Sequence, residues 1–554
     1  MDPRRAADVR QSRPALAFSG DSNDIPSSGT PMTPFPSHRT RALAALVSGG
    51  LLLTVTAGVS AATDGGLARF ERQTITWHGC RTGDADETGA RLDAAGARCG
   101  EVTVPLDYAD PGGRTISVAV ARRAATDSAH RLGTLVVNTG GPGPSRDGVT
   151  LLARGLPPDM PRSAPEIAAR YDLVGIDPRF FGRSTPLECG WPAGLYLRGA
   201  QLATPDRATF ERSVATAKEL ASRCAAHRDL LPHASTRAMA RDMDVVRAAL
   251  GAPRISYLGW SFGSYLGAVY LQLFPGRADR VVLDSAASPD AAGPGLTRET
   301  APADAAALTD WARWASLHNG QYGLGDSVPG VLATIDHIGR SAARAPLRVG
   351  GHRVDAAMVP GLLLTVTDSD AAYAEFSAQV RVLRDAAHGV PVTPTPAQEW
   401  KLALYTETGV LPEFGFSATI ANQCADRAAS RDPETYYRDI QAHLATEPRY
   451  GPLARHLTPC AFWPTGPAEA PTRIGTAHPA LLVGATGDPV NPYPGQRALR
   501  RVLTGSRMVT LDRAFRHGVY LSESDAGVRC VEDTVRRYLL GGALPATDRA
   551  CARA

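Results

Sequence analysis

The sequence predicts an α/β fold, with a mostly parallel β-sheet, helices on both faces of the sheet and an inserted helical cap. Three observations predict it. Between about residues 101 and 284, short and continuously apolar runs alternate with helical patterns, as in parallel sheets covered by helices. Residues 291–474 then show mainly helical patterns, and the alternation resumes over residues 475–554. We therefore expect a sheet built from residues 63–290 and 475–554, with the cap of residues 291–474 between them.

The elements follow in a definite order along the chain. A strand pair opens the fold, because two alternating runs, 101–106 and 115–120, flank a DPGG turn at 110–113. We expect further strands at 134–138, 171–177, 254–258, 281–284, 480–484 and 506–511, and core helices at 239–250, from the turn 259–263 to about 274, and at about 528–540. In the cap we expect helices at 308–317, 328–343, 370–387, 397–408 and 433–444.

Residues 1–62 predict an export signal behind a long N-terminal extension. An uncharged apolar stretch, 42–62, ends in small residues, and Val59-Ser60-Ala61 fits the small-x-small pattern of signal cleavage. A membrane anchor is the alternative, because about 20 apolar residues can span a bilayer. The Gly, Ser and Thr residues of the stretch favour cleavage near Ala61 or Ala62. We expect a secreted protein that leaves the membrane after cleavage, with Met1 or Met32 as its true start.

Composition excludes some classes of function and points to an oxidising compartment. Lys and Arg number 59 against 55 Asp and Glu, and 44% of residues are hydrophobic, which is typical of a globular protein without a basic surface for nucleic acid. The eight cysteines form no CxxC motif, and an even number in an exported chain predicts disulfides. Pairing of neighbours gives Cys80–Cys99, Cys189–Cys224, Cys424–Cys460 and Cys530–Cys551, although eight cysteines allow 105 pairings.

Ser261 is the candidate nucleophile. Gly259-Trp260-Ser261-Phe262-Gly263 matches G-x-S-x-G, a pattern that is weak alone. Here it follows a predicted strand and opens a predicted helix, as a nucleophile elbow requires. In such a turn the glycines permit a tight backbone that exposes the serine hydroxyl, whereas an ordinary packing serine needs no such context.

His517 and Asp488 are the candidate base and acid. A serine nucleophile needs a base that an acid orients, and in this kind of fold the chain order is Ser, Asp or Glu, then His. His517 is the single histidine beyond residue 478, in a loop after the strand 506–511. Asp488 follows the strand 480–484, whereas Asp512 lies on the same strand and loop as His517. We therefore prefer Asp488.

Two backbone N–H groups are candidates for an oxyanion hole. Phe262 directly follows Ser261 at the start of the helix, and Gly141 lies in the Gly-rich loop after the strand 134–138. A phosphate-binding loop is the competing interpretation of that loop. It fails because neither a following Lys-Ser/Thr pair nor a ribose-binding acid accompanies it.

These motifs resemble the secreted tripeptidyl aminopeptidases of the prolyl-aminopeptidase-related group of α/β hydrolases. The matching segments are TVPLDY at 103–108, GGPG at 140–143, DPR at 177–179, ARDMD at 240–244, GWSFGSYLGAVY at 259–270, FPG at 274–276, CAFWP at 460–464 and the tail 541–551. The resemblance covers most of residues 76–554. It implies an α/β-hydrolase fold with a helical cap, Ser261, Asp488 and His517 as the triad, and release of short N-terminal peptides, tripeptides in the best-matched branch.

The sequence departs from that group at a few positions near the serine. Thr139 stands where proline is usual, and Phe180-Phe181-Gly182 replaces the more usual Gly-x-Gly after Asp-Pro-Arg. Trp260 and Phe262 flank the serine where Val (or Thr) and Tyr are common. These positions line or support the acyl pocket, so they bear on the choice of substrate.

An aminopeptidase also has to bind a free α-ammonium group, which favours a carboxylate under the cap. Asp426, close to Cys424, and Glu413 are the candidates, although either can be an ordinary solvated carboxylate.

The sequence therefore predicts a secreted serine exopeptidase that acts on a peptide or small-molecule substrate and uses no metal or cofactor. An esterase or amidase of the same fold is the alternative, since the fold does not fix the substrate. A non-catalytic binding protein with this fold is a third hypothesis, against which the complete set of catalytic residues argues.

Overall fold

The computed structural model describes residues 64–156, 162–365, 367–522 and 525–553. Its strands are β1 (Arg98–Pro105), β2 (Thr115–Arg123), β3 (Gly133–Asn138), β4 (Tyr171–Ile176), β5 (Ile255–Trp260), β6 (Ala278–Asp284), β7 (Leu347–Val349), β8 (His352–Val354), β9 (Leu481–Ala485), β10 (Arg507–Asp512) and β11 (Arg549–Ala552). The export signal predicted within residues 1–62 lies outside the described residues.

Helices cover both faces of the sheet and fill the cap. They are α1 (Asp64–Glu71), α2 (Glu87–Ala94), α3 (Gly148–Arg154), α4 (Pro165–Arg170), α5 (Ala193–Ala200), α6 (Arg207–Arg223), α7 (Thr236–Ala249), α8 (Phe262–Leu273), α9 (Ala301–Leu317), α10 (Asn319–Tyr322), α11 (Val328–Arg344), α12 (Val359–Leu362), α13 (Asp370–Ala387), α14 (Pro396–Thr406), α15 (Phe416–Asp426), α16 (Pro433–His443), α17 (Gly451–Ala454), α18 (Tyr493–Val502) and α19 (Ala526–Gly541). In the part of the chain that the structure describes, no helix combines the length and the apolar character needed to cross a bilayer.

The main sheet has nine strands in the order β1-β2-β4-β3-β5-β6-β9-β10-β11. β2 pairs antiparallel with β1 and with β4, and every other neighbouring pair in this sheet is parallel. The prediction of a mostly parallel sheet covered by helices is therefore confirmed. Parallel strands place their carboxyl ends at one edge of the sheet, and ligands bind outside that edge in such folds.

The central strands are apolar throughout because both faces of the sheet are buried. Along β3, Val136 packs in one hydrophobic cluster, while Leu135 and Val137 pack in another. In β5, Tyr257 and Leu258 divide between the same two clusters. This alternation is the two-residue period of a strand, with a core on each side of the sheet.

The cap has a hydrophobic core of its own. That core includes Leu308 and Trp311 of α9, Ile335 of α11 and Val380 of α13. It also includes Leu197 of α5, so a helix from the earlier part of the chain packs with the cap. A small antiparallel pair, β7 with β8, completes this region.

Four disulfides join neighbouring cysteines, which confirms the pairing expected from the sequence: Cys80–Cys99, Cys189–Cys224, Cys424–Cys460 and Cys530–Cys551. Cys424–Cys460 links α15 to the end of the cap. Cys530–Cys551 ties α19 to the edge strand β11. The disulfides thus stabilise both the cap and the edge of the sheet.

Candidate active site

Ser261 lies in a strained turn between β5 and α8. Its backbone has φ 54° and ψ −122°, a conformation that an L-residue adopts only when its surroundings enforce it. The Ser261 N–H donates to the carbonyl of Asp284 at 2.9 Å, which fixes the turn to the end of β6. The turn also needs glycine, because a Cβ at Gly259 would lie 2.5 Å from the carbonyl oxygen of Gly263. The G-x-S-x-G motif therefore forms the elbow that its position predicts.

Asp488 and His517 are in hydrogen-bond contact at the same edge of the sheet. Asp488 follows β9 and His517 follows β10, so both lie beyond the carboxyl ends of their strands. His517 Nδ1 is 3.0 Å from Asp488 Oδ1 and 2.9 Å from Oδ2. A carboxylate oxygen only accepts, so Nδ1 donates, and Nε2 is the nitrogen left to accept a proton.

Several further donors hold the Asp488 carboxylate. The N–H groups of Val490 and Asn491 each donate to Oδ1 at 3.1 Å. The side-chain amide of Gln496 in α18 donates to Oδ2 at 3.0 Å. Both oxygens are therefore fixed, and the imidazole of His517 is held in one orientation.

The loop that follows His517 is anchored from the end of β6. Gly518 N–H donates to Ser285 Oγ at 2.8 Å, and Val519 N–H and Tyr520 N–H donate to Asp284 carboxylate oxygens at 3.1 and 2.7 Å. Burial raises the pKa of Asp284 to about 6, although these N–H donors act to lower it. Asp284 thus fixes the turn of Ser261 through its carbonyl and the loop of His517 through its carboxylate.

The cap contacts the residues that precede His517. Asp368 accepts from Phe515 N–H at 2.7 Å and from Arg516 Nε at 2.6 Å. Arg553, just beyond β11, donates to the same carboxylate at 2.6 Å. Asp368 and Arg516 are both almost fully buried. Asp368 of the cap therefore holds the residues before His517, and Asp284 holds the residues after it.

The loop after β3 brings Gly141 close to the serine turn. Gly140, its neighbour, leaves so little room that a Cβ there would lie 3.0 Å from Ser261 Cβ. Gly141 has φ 108°, which glycine alone adopts without strain. Within the described part of the chain, neither Gly141 N–H nor Phe262 N–H has a hydrogen-bond acceptor. Both remain available for an oxyanion.

Asp177, a buried aspartate of the DPR segment, stabilises the conformation of the loop after β3. Asp177 accepts from the N–H groups of Ser145 and Arg146 at 2.9 and 3.0 Å, and its other oxygen pairs with Arg146 Nε at 2.8 Å. Arg179, from the same segment, forms a buried ion pair with Asp242 at 2.6 Å. The DPR segment at 177–179 and the ARDMD segment at 240–244, both quoted above for the family resemblance, therefore have structural roles.

A cavity of about 250 Å³ lies between the cap and the core. Pro489 and Val490, the residues directly after Asp488, form part of its wall. The other walls come from α5, from the start of α9, from α15 and from residues 453–459. Most of the lining is apolar, as in typical small-molecule sites.

Other residues singled out in the sequence lie elsewhere. Asp426 caps α7, accepting from Thr236 N–H at 2.7 Å and Thr236 Oγ1 at 2.6 Å, and burial raises its pKa to about 6. Glu413 is exposed in a short 3-10 helix. Neither residue lines the cavity. Asp512 lies 3.9 Å from Arg513 and, among the described residues, forms no hydrogen bond with His517, whereas Asp488 does.

Trp260 supports the histidine loop and does not line the cavity. Its ring stacks on Tyr520 with the centroids 6.1 Å apart, and it is almost fully buried. Phe180, which also differs from the residue usual in the related peptidases, is buried in the core. Its φ of 75° is one that glycine would adopt without strain.

Two family profiles agree with this architecture. A family profile described as "alpha/beta hydrolase fold" matches residues 133–333, and one described as "TAP-like protein" matches residues 449–551. A proline iminopeptidase structure from Mycobacterium smegmatis is similar, at 16% identity over 80% of this chain and 100% of that chain, with a TM-score of 0.31.

Curated relatives cover most of the chain. A tripeptidyl aminopeptidase of Streptomyces coelicolor is 32% identical over 496 residues, 88% of this chain and 87% of that protein. Serine protease Hip1 of Mycobacterium tuberculosis is 27% identical over 88% of this chain and 93% of that protein, and a carboxylesterase B of the same species is 30% identical over 86% and 90%. This chain belongs to the tripeptidyl-aminopeptidase-like α/β hydrolases and is a serine hydrolase of the peptidase type.

Proposed function

We propose that the protein is a secreted aminopeptidase that releases short peptides, mainly tripeptides, from the free N-termini of its substrates. The observation that carries the proposal is the hydrogen-bonded pair of Asp488 and His517 at the sheet edge where the strained turn exposes Ser261. The relatives named tripeptidyl aminopeptidase support the length of the released peptide.

The mechanism follows from these groups. Ser261 Oγ attacks the scissile carbonyl while His517 Nε2 takes its proton, and Asp488 holds the imidazole in the required tautomer. The N–H groups of Phe262 and Gly141 stabilise the negative charge on the tetrahedral intermediate. His517 then protonates the leaving amine, and water, activated by the same histidine, hydrolyses the acyl-enzyme to free Ser261.

Export is part of the proposal, and the disulfides support it. Four disulfides in the described chain suit an oxidising compartment, where such bonds persist. The predicted signal within residues 1–62, with cleavage near Ala61 or Ala62, supplies the route.

An esterase or amidase with a non-peptide substrate is the second candidate. A relative named carboxylesterase B, 30% identical to this chain, favours it. The same nucleophile, base and oxyanion donors would serve both reactions.

One pair of substrates distinguishes these candidates. Ala-Pro-Ala p-nitroanilide is offered to the purified mature chain with its N-terminus free or acetylated, and Ser261→Ala is the control. We expect cleavage of the free peptide alone, release of intact Ala-Pro-Ala, and at least about a 10⁴-fold loss of kcat in the variant. Equal cleavage of both peptides would contradict an aminopeptidase, and hydrolysis of p-nitrophenyl acetate alone would favour the esterase.

A further inference from the structure

The cavity under the cap contains a buried carboxylate that lacks a charged partner. Asp304, in the first turns of α9, is 7% exposed and lines the cavity. The nearby Thr300 hydroxyl donates to the Thr297 carbonyl at 3.0 Å, and no arginine, lysine or histidine of the described chain forms an ion pair with Asp304. Burial raises the pKa of Asp304 well above its usual range. A cation that enters the cavity would stabilise the ionised form of this carboxylate.

Other buried carboxylates of the described chain are compensated. Asp242 pairs with Arg179 at 2.6 Å, and Asp368 pairs with Arg516 at 2.6 Å. Asp426 accepts two hydrogen bonds from Thr236. Asp304 thus differs from buried carboxylates that serve the fold, and its place in the wall of a cavity suggests a ligand.

The same wall presents further hydrogen-bond acceptors. His456 Nδ1 lies 2.8 Å from the Leu453 carbonyl, so Nδ1 donates and Nε2 carries the lone pair. Burial lowers the pKa of His456, which keeps the ring neutral. Thr458 Oγ1 is buried without a hydrogen-bond partner in the described chain. No arginine or lysine is among the residues that line the cavity.

This set of groups fits a primary ammonium ion, which has three N–H donors and no acceptor. Pro489 and Val490, which directly follow Asp488 in the chain, line the cavity together with Asp304 of α9. We propose that Asp304 binds the α-ammonium group of the peptide substrate, with His456 Nε2 and Thr458 Oγ1 as the further acceptors. This inference rests on the proposed aminopeptidase function and assigns to Asp304 the role that the sequence suggested for Asp426 or Glu413.

The test compares Asp304→Asn with Glu299→Gln on the same substrates. Asn has the shape of a protonated Asp, so the variant preserves packing while it removes the negative charge. Glu299 is an exposed carboxylate close in sequence and does not line the cavity. We expect Asp304→Asn to lower kcat/KM for free Ala-Pro-Ala p-nitroanilide by about 30-fold or more, mainly through KM. Glu299→Gln should leave it unchanged.

A small substrate separates this inference from the state of the catalytic residues. p-Nitrophenyl acetate has no ammonium group and does not need the cavity, so both variants should hydrolyse it at the wild-type rate. Thr458→Val offers an independent variant, for which we expect a smaller rise in KM for the free peptide. Wild-type kcat/KM for the peptide in Asp304→Asn would overturn the ammonium site while leaving the aminopeptidase intact.

The source of the ammonium is tested with a third peptide. Acetyl-Lys-Pro-Ala p-nitroanilide carries an ε-ammonium and no α-ammonium. If the wild-type protein cleaves it as well as the free peptide, and Asp304→Asn does not, the site binds a lysine side chain and our assignment is wrong. If the wild-type protein cleaves no peptide, the proposed function and this inference are both overturned.

Discussion

At the scale of single residues, hydrogen bonds hold the carboxylate of Asp488 and the imidazole of His517 in one orientation. Asp488 accepts from Val490, Asn491 and Gln496 as well as from His517, so its two oxygens have no freedom to turn. The imidazole is thereby fixed with Nδ1 as donor. Substitution at Asp488 tests this arrangement directly.

Asp488→Asn should lower kcat by about 10⁴-fold with little effect on folding. The Asn amide can donate to Nδ1, which favours the tautomer in which Nε2 carries the proton and cannot act as a base. Steady-state kinetics on the free tripeptide substrate measures the loss. Asp512→Asn is the matched control, because Asp512 lies 3.9 Å from Arg513 and forms no hydrogen bond with His517 in the described chain. A comparable loss in the control would contradict our choice of Asp488.

The sequence predicts Ser261, His517 and Asp488 because a local motif and the chain order of this fold select them. It does not predict Asp284, since its partner Tyr520 is distant along the chain, nor Gln496, whose side chain reaches Asp488 from a separate helix. Nor does it predict the hydrogen bonds of Asp426, because its partner Thr236 lies at the start of a core helix, 190 residues earlier in the chain. Asp304 likewise has no local sequence signal.

At the scale of elements, strands and helices are predictable where burial is complete. The runs that form β3, β4, β5 and β9 are apolar at nearly every position, and the structure buries them entirely or almost so. β11 is four residues long and mostly exposed, so no apolar run indicates it. Its pairing with β10 and the disulfide to α19 hold it in the sheet.

The contact between the cap and the loop that carries His517 joins two segments that are far apart in the chain, so the sequence does not predict it. Asp368 lies just before α13, whereas Phe515 and Arg516 follow β10. Breaking a buried ion pair costs about 3–5 kcal/mol when the remaining charge has no other partner. Here Arg516 also lies 3.4 Å from Asp525, and Asp368 also pairs with Arg553, so we expect a smaller cost than that.

Asp368→Asn should therefore lower the Tm and also lower kcat, since the residues next to His517 lose their anchor. Differential scanning calorimetry and kinetics on p-nitrophenyl acetate measure the two effects. Asp336→Asn is the control, because it breaks the more exposed pair with Arg449, which is worth less than about 1 kcal/mol. An unchanged kcat in Asp368→Asn would show that the cap does not position the histidine loop.

At the scale of the whole molecule, buried carboxylates give the folded state a distinctive dependence on pH. Burial raises the pKa of both Asp284 and Asp426 from 3.8 to about 6. Between these values the folded state binds more protons than the unfolded state. Each group therefore makes its full contribution to the free energy of unfolding below about pH 4. That contribution is lost as the pH rises through about 6.

Asp426→Asn should remove its share of this dependence while keeping the cap on α7, since an amide oxygen can still accept from Thr236 N–H. Urea unfolding of the wild-type protein and the variant at pH 4, 5, 6 and 7 measures the difference. We expect the wild-type protein to lose stability relative to the variant as the pH rises through this range. Parallel curves would contradict the raised pKa of Asp426.

The cap leaves and re-enters the sheet through neighbouring strands. Val282 of β6 pairs with Leu481 of β9, and Ser285 N–H donates to the Val483 carbonyl at 2.9 Å. A segment whose ends are already adjacent adds loop-closure entropy that grows only with the logarithm of its length, about 0.6 kcal/mol for each doubling. Evolution can therefore lengthen, shorten or exchange the cap with little penalty to the catalytic sheet, provided that a contact like that of Asp368 is kept. Substrate range can diverge among such enzymes while the chemistry stays the same.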